Sequence, residues 1–210
     1  NCIVIGNAPT TTITAIGAGG NAIGTGGTNN NNISIINNDV RACRVGIYSS
    51  GASAANKNQN LVINQNTATA AAPNNIGETG IYSAFTNNIT VSGNSVDNII
   101  RSGSPDGVGI NMGFGAVSGF STTTTGIADG VSNVTITNNV IGAVVNSGTF
   151  SSAGIGLGNT ISGTSLIANN MIYGVSANGT AGDFAGGIVL GGGAGQVNVY
   201  NNTVSMQGTI

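Results

Sequence analysis

Histidine and tryptophan are missing from this 210-residue chain. Charge is nearly missing: four Lys and Arg plus six Asp and Glu make 5% of the residues, against the ~25% of ordinary globular domains. A net charge of −2 gives no electrostatic case for binding nucleic acid or an anionic membrane. No apolar run approaches the ~18 residues of a spanning helix, which argues against membrane insertion. Cys2 and Cys43 are the only two cysteines, too few for a disulfide scaffold; a single bond between them and two free thiols both stay open. No leader peptide is visible and the pattern is already running at Asn1, so residues 1–210 are expected to be one segment of a longer protein.

What is present is 40% apolar residues and 36 glycines, with abundant Asn, Thr, Ile and Val. The β-branched content argues against disorder, and glycine and asparagine interrupt every candidate helix. Polar but uncharged composition of this kind points to an extracellular β protein.

The chain repeats. Segments of the form apolar–x–apolar–x–x–Asn end at Asn38 ("ISIINN"), Asn66 ("LVINQN"), Asn94 ("ITVSGN"), Asn139 ("VTITNN"), Asn170 ("SLIANN") and Asn202 ("VNVYNN"), at spacings of 28, 28, 45, 31 and 32 residues. "CIVIGN", ending at Asn7, reads as an earlier copy 31 residues ahead of Asn38. A second series lies between: "GIYS" from Gly46 and Gly80, "GINM" from Gly109, "GIGL" from Gly154 and "GIVL" from Gly187. Two series locked to one short period predict an all-β fold, a parallel β-helix of six to seven coils with each strand pairing to its equivalent ~4.8 Å away.

That architecture gives the asparagines a purpose. After each inward pair (Ile33 and Ile35, Leu61 and Ile63, Val134 and Ile136) the coil must turn, and asparagine tolerates left-handed backbone angles. Its amide also bonds the equivalent amide one coil away, satisfying polar groups that would otherwise cost ~1–3 kcal/mol each. Asn38, Asn66, Asn94, Asn139, Asn170 and Asn202 are therefore expected to form an internal ladder, with Val40, Val96, Ile141, Ile172 and Val204 inward two places later.

"NNITVSGNSV", "NVTITNNVI" and "QVNVYNNTV" resemble the right-handed, single-stranded parallel β-helix repeats of the pectin-lyase-like superfamily, and most of all the Asn-rich repeats of large secreted or surface bacterial proteins. The resemblance implies an extracellular or cell-surface location. It does not choose among lyases, hydrolases, epimerases, tailspikes, adhesins and inert stalks. Hydrolases of that group use aspartates with a nearby histidine, and this chain has none. Its lyases use an acidic calcium cluster with an Arg or Lys base.

Eight of the ten charges fall between Asp39 and Asp106, and a lyase-like alternative would place Asp97, Asp106 and Arg101 in a site, with calcium as its cofactor. Otherwise no catalytic residue, metal or cofactor is expected. The plainer interpretation is a mixed-sign exposed turn face, on which Arg41 and Asp97 share a register two coils apart.

For binding, the residue after each inward isoleucine of the glycine series should face outward: Tyr48, Tyr82, Asn111, Gly156 and Val189. Stacked Tyr48 and Tyr82 form either a platform for sugar rings or a cross-strand pair that only stabilises the sheet. An insertion at about 111–130 carries Phe114, Phe120 and Asp129, and insertions in solenoids map to loops on one, often binding, face. Ice binding fits poorly, because the outward column Ser34, Val62, Thr90, Thr135, Leu166, Asn198 is irregular. The expected role is a structural or adhesin-like module with weak carbohydrate binding; the alternatives are a polysaccharide-degrading domain and a self-assembling solenoid. Expected partners are extracellular glycans or further copies of the solenoid.

Overall fold

The computed structural model describes residues 2–10, 14–20, 27–104, 106–114, 130–158, 162–180, 183–193 and 195–206. All pairings between its strands are parallel, and no helix forms among the described residues. Three sheets, here called S1, S2 and S3, follow one another around each coil. S1 has six strands: Asn31–Ile36, Asn58–Asn64, Thr86–Ser92, Val131–Thr137, Thr164–Ala168 and Gln196–Tyr200. S2 holds the short strands that follow the turn, among them Asn38–Arg41, Ser95–Val96, Val140–Gly142 and Thr203–Met206. S3 holds the glycine series, on Cys43–Ser50, Ile76–Ala84, Gly107–Met112, Ser152–Leu157 and Ala185–Leu190. S2 and S3 merge into one 15-stranded array because Met171–Ala177 pairs in both.

The stack makes about five turns rather than six to seven. The N-terminal segment accounts for the difference. Cys2–Ile5 does not precede Asn31–Ile36 in S1; it lies in S2 with Cys2 opposite Asn38 and Val4 opposite Val40. Asn7 is therefore no rung of the ladder. Both registers put Val4 inward, so apolar spacing alone cannot separate them.

S1 follows its sequence pattern closely. Alternate residues of Asn58–Asn64, Thr86–Ser92 and Val131–Thr137 are buried and part-exposed, as one-sided burial requires. Leu61, Ile63, Ile89, Val91, Val134 and Ile136 are fully buried in one continuous core with Val96, Ile141 and Ile172 from S2 and Ile47, Ile81, Ile110 and Ile155 from S3. The outward column runs Ser34, Val62, Thr90, Thr135, Leu166, Asn198 in register, as the sequence predicts.

The turn between S1 and S2 divides its work between two residues. The left-handed angle belongs to the residue before each rung: φ is 58° at Asn37, 55° at Gln65, 64° at Gly93, 57° at Asn138, 57° at Asn169 and 55° at Asn201. The rungs themselves are buried from Asn66 to Asn170.

At the S2–S3 corner the glycine series exists because nothing larger fits. A Cβ on Gly109 would lie 2.5 Å from Ile141 Cγ2 and 2.6 Å from the Gly154 carbonyl oxygen. A Cβ on Gly46, Gly80 or Gly154 would likewise lie 2.6, 2.6 or 2.7 Å from the next glycine's carbonyl oxygen. Val40, Val96, Ile141, Ile172 and Val204, each two places after a rung, fill the space the glycines leave.

Candidate functional site

The asparagine ladder is continuous. Asn66 donates its backbone N–H and Nδ2 to Asn94 Oδ1 at 2.9 and 3.0 Å, and Asn94 does the same to Asn139 Oδ1 at 2.9 and 2.9 Å. Asn38 donates this pair to Asn66, Asn139 to Asn170 and Asn170 to Asn202. Each Nδ2 from Asn66 to Asn202 also reaches the carbonyl of an inward S1 residue of the preceding coil, such as Ile63 O for Asn94 at 3.0 Å. Every rung-to-rung donor points toward the C-terminal coil, so the column has a direction.

A second asparagine column runs along the other, exposed edge of S1, and the sequence expectations missed it. Asn32, Asn60, Asn88 and Asn133 each precede the first inward apolar residue and take φ of 58°, 61°, 59° and 52°. Asn60 Nδ2 donates to Asn32 Oδ1 at 2.8 Å and Asn88 Nδ2 to Asn60 Oδ1 at 2.6 Å. The recurring Asn before "ISI", "LVI", "ITV" and "VTI" was its signal.

The S3 tyrosines stack as expected, with Tyr48 and Tyr82 ring centroids 5.4 Å apart and planes at 7°. Their surroundings differ from the expectation: both are 2% exposed, and Asn111 and Phe114 are buried as well. The outer face of S3 carries its own apolar layer, Val45, Tyr48, Tyr82 and Ala84 with Phe85, and Val108, Phe114 and Ala153 with Phe184 and Val189. Phe114 lies over the space left by Gly156, and its carbonyl accepts the Tyr82 hydroxyl at 3.0 Å. Burial, together with the neighbouring Tyr48, pushes the Tyr82 phenol well above its ordinary range. These rings offer no open platform to a sugar. Phe120 and Asp129, with most of the insertion, lie outside the described residues.

The charges do not form an exposed mixed face. Glu78 is 1% exposed, accepts Arg44 Nε at 2.7 Å and has Arg101 Nη1 at 3.9 Å. Arg101 also donates to the Gly77 carbonyl at 3.0 Å and to that of Ser104, beside a cleft of about 310 Å³ bordered by Pro9, Asn75 and Ile100. Burial lowers the Arg101 pKa, opposed by the nearby Glu78. Arg41 pairs with Asp39 on its own strand rather than sharing a partner with Asp97. Asp97 accepts the Tyr173 hydroxyl at 2.9 Å, reached across Gly142, where any Cβ would strike the Tyr173 ring; this bond raises the Tyr173 pKa. Asp106 accepts the Ser151 amide at 2.9 Å, and Ser151 Oγ in turn donates to Asp183 at 2.8 Å. Asp97, Asp106 and Arg101 are thus each held by different neighbours. Among the described residues no three His, Cys, Asp or Glu side chains gather into a metal-binding group. Cys2 and Cys43 are both free thiols, the first exposed and the second buried; burial raises Cys43 to about 11.

One further feature is open. A polar cleft of about 370 Å³ lies over the start of S1, lined by Ala54, Ala55, Lys57, Gln59, Asn87, Ser132, Asn133 and Ser162. None of the described lining residues is acidic or aromatic.

No protein-family model matches the sequence, and no curated protein matches it. Among solved structures, the Streptococcus pneumoniae surface protein and adhesin PfbA is similar at a TM-score of 0.48 and 15% identity, over 88% of this chain. The chain spans 48% of the length of PfbA. A likeness that slight bears on neither role nor ligand.

Proposed function

We propose that this chain is a structural, adhesin-like β-solenoid module of a secreted or surface-attached bacterial protein: a stiff rod that holds binding surfaces away from their anchor. The observation that carries this reading is the unbroken internal ladder, in which each pair of successive rungs shares two hydrogen bonds, buried from Asn66 to Asn170. Bending or shearing the rod must break such bonds where water cannot replace them. Charge poverty and an Asn-, Thr- and Gly-rich surface suit an extracellular setting. The lyase-like alternative needs Asp97, Asp106 and Arg101 to act together on a sugar with calcium, whereas the described contacts bind them to Tyr173, Ser151 and Glu78. The test is incubation with polygalacturonate and calcium, followed by ultraviolet absorbance of unsaturated products. The module reading expects no release above a boiled control; sustained release would replace it with the enzyme reading.

A further inference from the structure

We propose that the outer face of S2 carries a shallow subsite for a neutral glycan of gluco-configured hexose rings, with the Tyr173 ring as its floor. Two outward columns run side by side there. Val140, Met171 and Thr203 form one, and Gly142, Tyr173 and Ser205 the other. Ile141 and Ile172, between them, are buried in the core, so both columns face solvent. Ser95 lies opposite Val140 one coil earlier, with Asp97 two places further on.

Tyr173 lies flat on this face. A Cβ on Gly142 would sit nearer to Cζ of the ring than to Cε2 or the hydroxyl oxygen, both 2.6 Å from it. A point beside the ring edge, between Cε2 and the hydroxyl, would be nearer to those two; a point above the ring has the order found. One face of the ring therefore covers the Gly142 backbone, and the other turns away from the sheet on a side chain that is only half-buried. The hydroxyl donates to Asp97 Oδ2 at 2.9 Å, and the Asn98 amide holds Asp97 Oδ1 at 2.6 Å. The ring is fixed before a ligand arrives, which lowers the ordering cost of binding. Beside it Met171 and Val140 are 50% and 39% exposed.

The chemistry of the patch selects the ligand. An aromatic face is the negative pole of its quadrupole, and a hexose with equatorial hydroxyls offers it a flat layer of axial C–H groups. The hydroxyls then project from the sugar's edge. There Asp97 keeps a lone pair on each oxygen, and Ser95, Thr203 and Ser205 add hydroxyls of their own. Within the patch Asp97 is the only charge among the described residues. Arg41, in the Asp97 column two coils and ~9.6 Å away, is paired with Asp39. A carboxylate with no cation beside it accepts sugar hydroxyls and repels uronates, so the site favours neutral rings. Three apolar side chains fall far short of the ~800 Å² that each partner buries in a standard protein interface, but they suit a pyranose ring and its linkage.

This inference names the ligand class for the adhesin-like reading and rests on that reading for there being a ligand. Its test is an NMR titration of the whole chain with cellotetraose, and separately with tetragalacturonate, each up to ~10 mM, since one ring stacked on an open face binds at about 1 mM. The expected result is saturable shifts in the Tyr173 ring and Met171 methyl signals with cellotetraose and none with tetragalacturonate. Tyr173→Ala, at a half-buried surface position, should weaken binding by about tenfold. Asp97→Asn keeps an acceptor beside the ring and removes the repulsion, so it should narrow the preference for cellotetraose over tetragalacturonate. Flat Tyr173 signals, equal binding of the two sugars by the unaltered chain, an unchanged preference in Asp97→Asn, or binding untouched by Tyr173→Ala each overturn the proposal. A flat titration from a chain that releases no unsaturated product removes the subsite and leaves the rod; release of product removes the rod reading whatever the titration shows.

Discussion

S1 and S3 are built from the same repeats, yet S1 keeps one face in water and S3 keeps neither. Along Asn58–Asn64 and Thr86–Ser92 burial alternates residue by residue; along Ile76–Ala84 and Ser152–Leu157 every residue is buried. S1 relies on one core and bonds its asparagines at both edges. S3 carries two apolar layers, narrows to glycine at its corner with S2, and holds a buried carboxylate between two arginines. Alternation in sequence reports one-sided burial faithfully. It says nothing about loops that later close over the second face.

The largest expected effect lies at the S3 corner. Gly109→Val puts a branched side chain where even a Cβ would collide with the Gly154 carbonyl and Ile141. Both are packed backbone or core, so the loss should exceed ~4 kcal/mol in denaturant unfolding. A stable variant would break the close-packed account of this corner.

Next come the two edges of S1. Asn94→Ala deletes the acceptor for two donors of Asn66 and leaves them buried, an expected loss of about 3 kcal/mol. Asn88→Gly, on the exposed column, keeps a residue at ease with φ of 59° and should change stability by less than ~0.5 kcal/mol. Equal effects at the two sites would erase the distinction between internal and external columns.

A pH effect follows from the inner side of S3. Burial raises Cys43 from 9.0 to about 11, so the folded state holds the proton more tightly than the unfolded one. This contribution is complete below about pH 9 and is lost as pH rises through about 11. Cys43→Ala should flatten the decline in melting temperature across that window, an effect of ~3 kcal/mol at most. At neutral pH, Cys2 should react with a thiol reagent in the folded chain and Cys43 should not.

The smallest effect tests the outer layer of S3. Tyr82→Phe keeps the stacked ring and removes one hydroxyl bond to the Phe114 carbonyl, for a loss of about 1 kcal/mol by urea unfolding. No change would mean that this bond does not help to fasten the segment after Gly107–Met112.

The stacking was legible in the sequence because a period near thirty residues recurs in two independent series. The six rungs and the Ser34-to-Asn198 column fall where the spacing puts them. The N-terminal register was not legible: Val4 fits opposite Val40 as well as it fits an earlier S1 strand, and nothing local separates the two. The burial of Tyr48 and Tyr82 was hidden because their cover comes from residues outside the repeat, Phe114 and Phe85 among them. Glu78 was visible as a charge but not as a buried one, since its partners Arg44 and Arg101 belong to the coils on either side. The polar cleft joins Lys57 to Ser132, 75 residues apart, across one intervening coil, and no single repeat announces it.

Oxidative cross-linking across S1 tests the stacked register directly. In a chain with Cys2→Ser and Cys43→Ala, Thr90→Cys combined with Thr135→Cys places two thiols on partners paired in register, within the ~4.4–6.8 Å Cα separation a disulfide accepts. The account predicts a ready intramolecular disulfide for this pair and none for Thr90→Cys with Leu166→Cys, two coils and ~9.6 Å apart. A disulfide in the second pair and not in the first would contradict it.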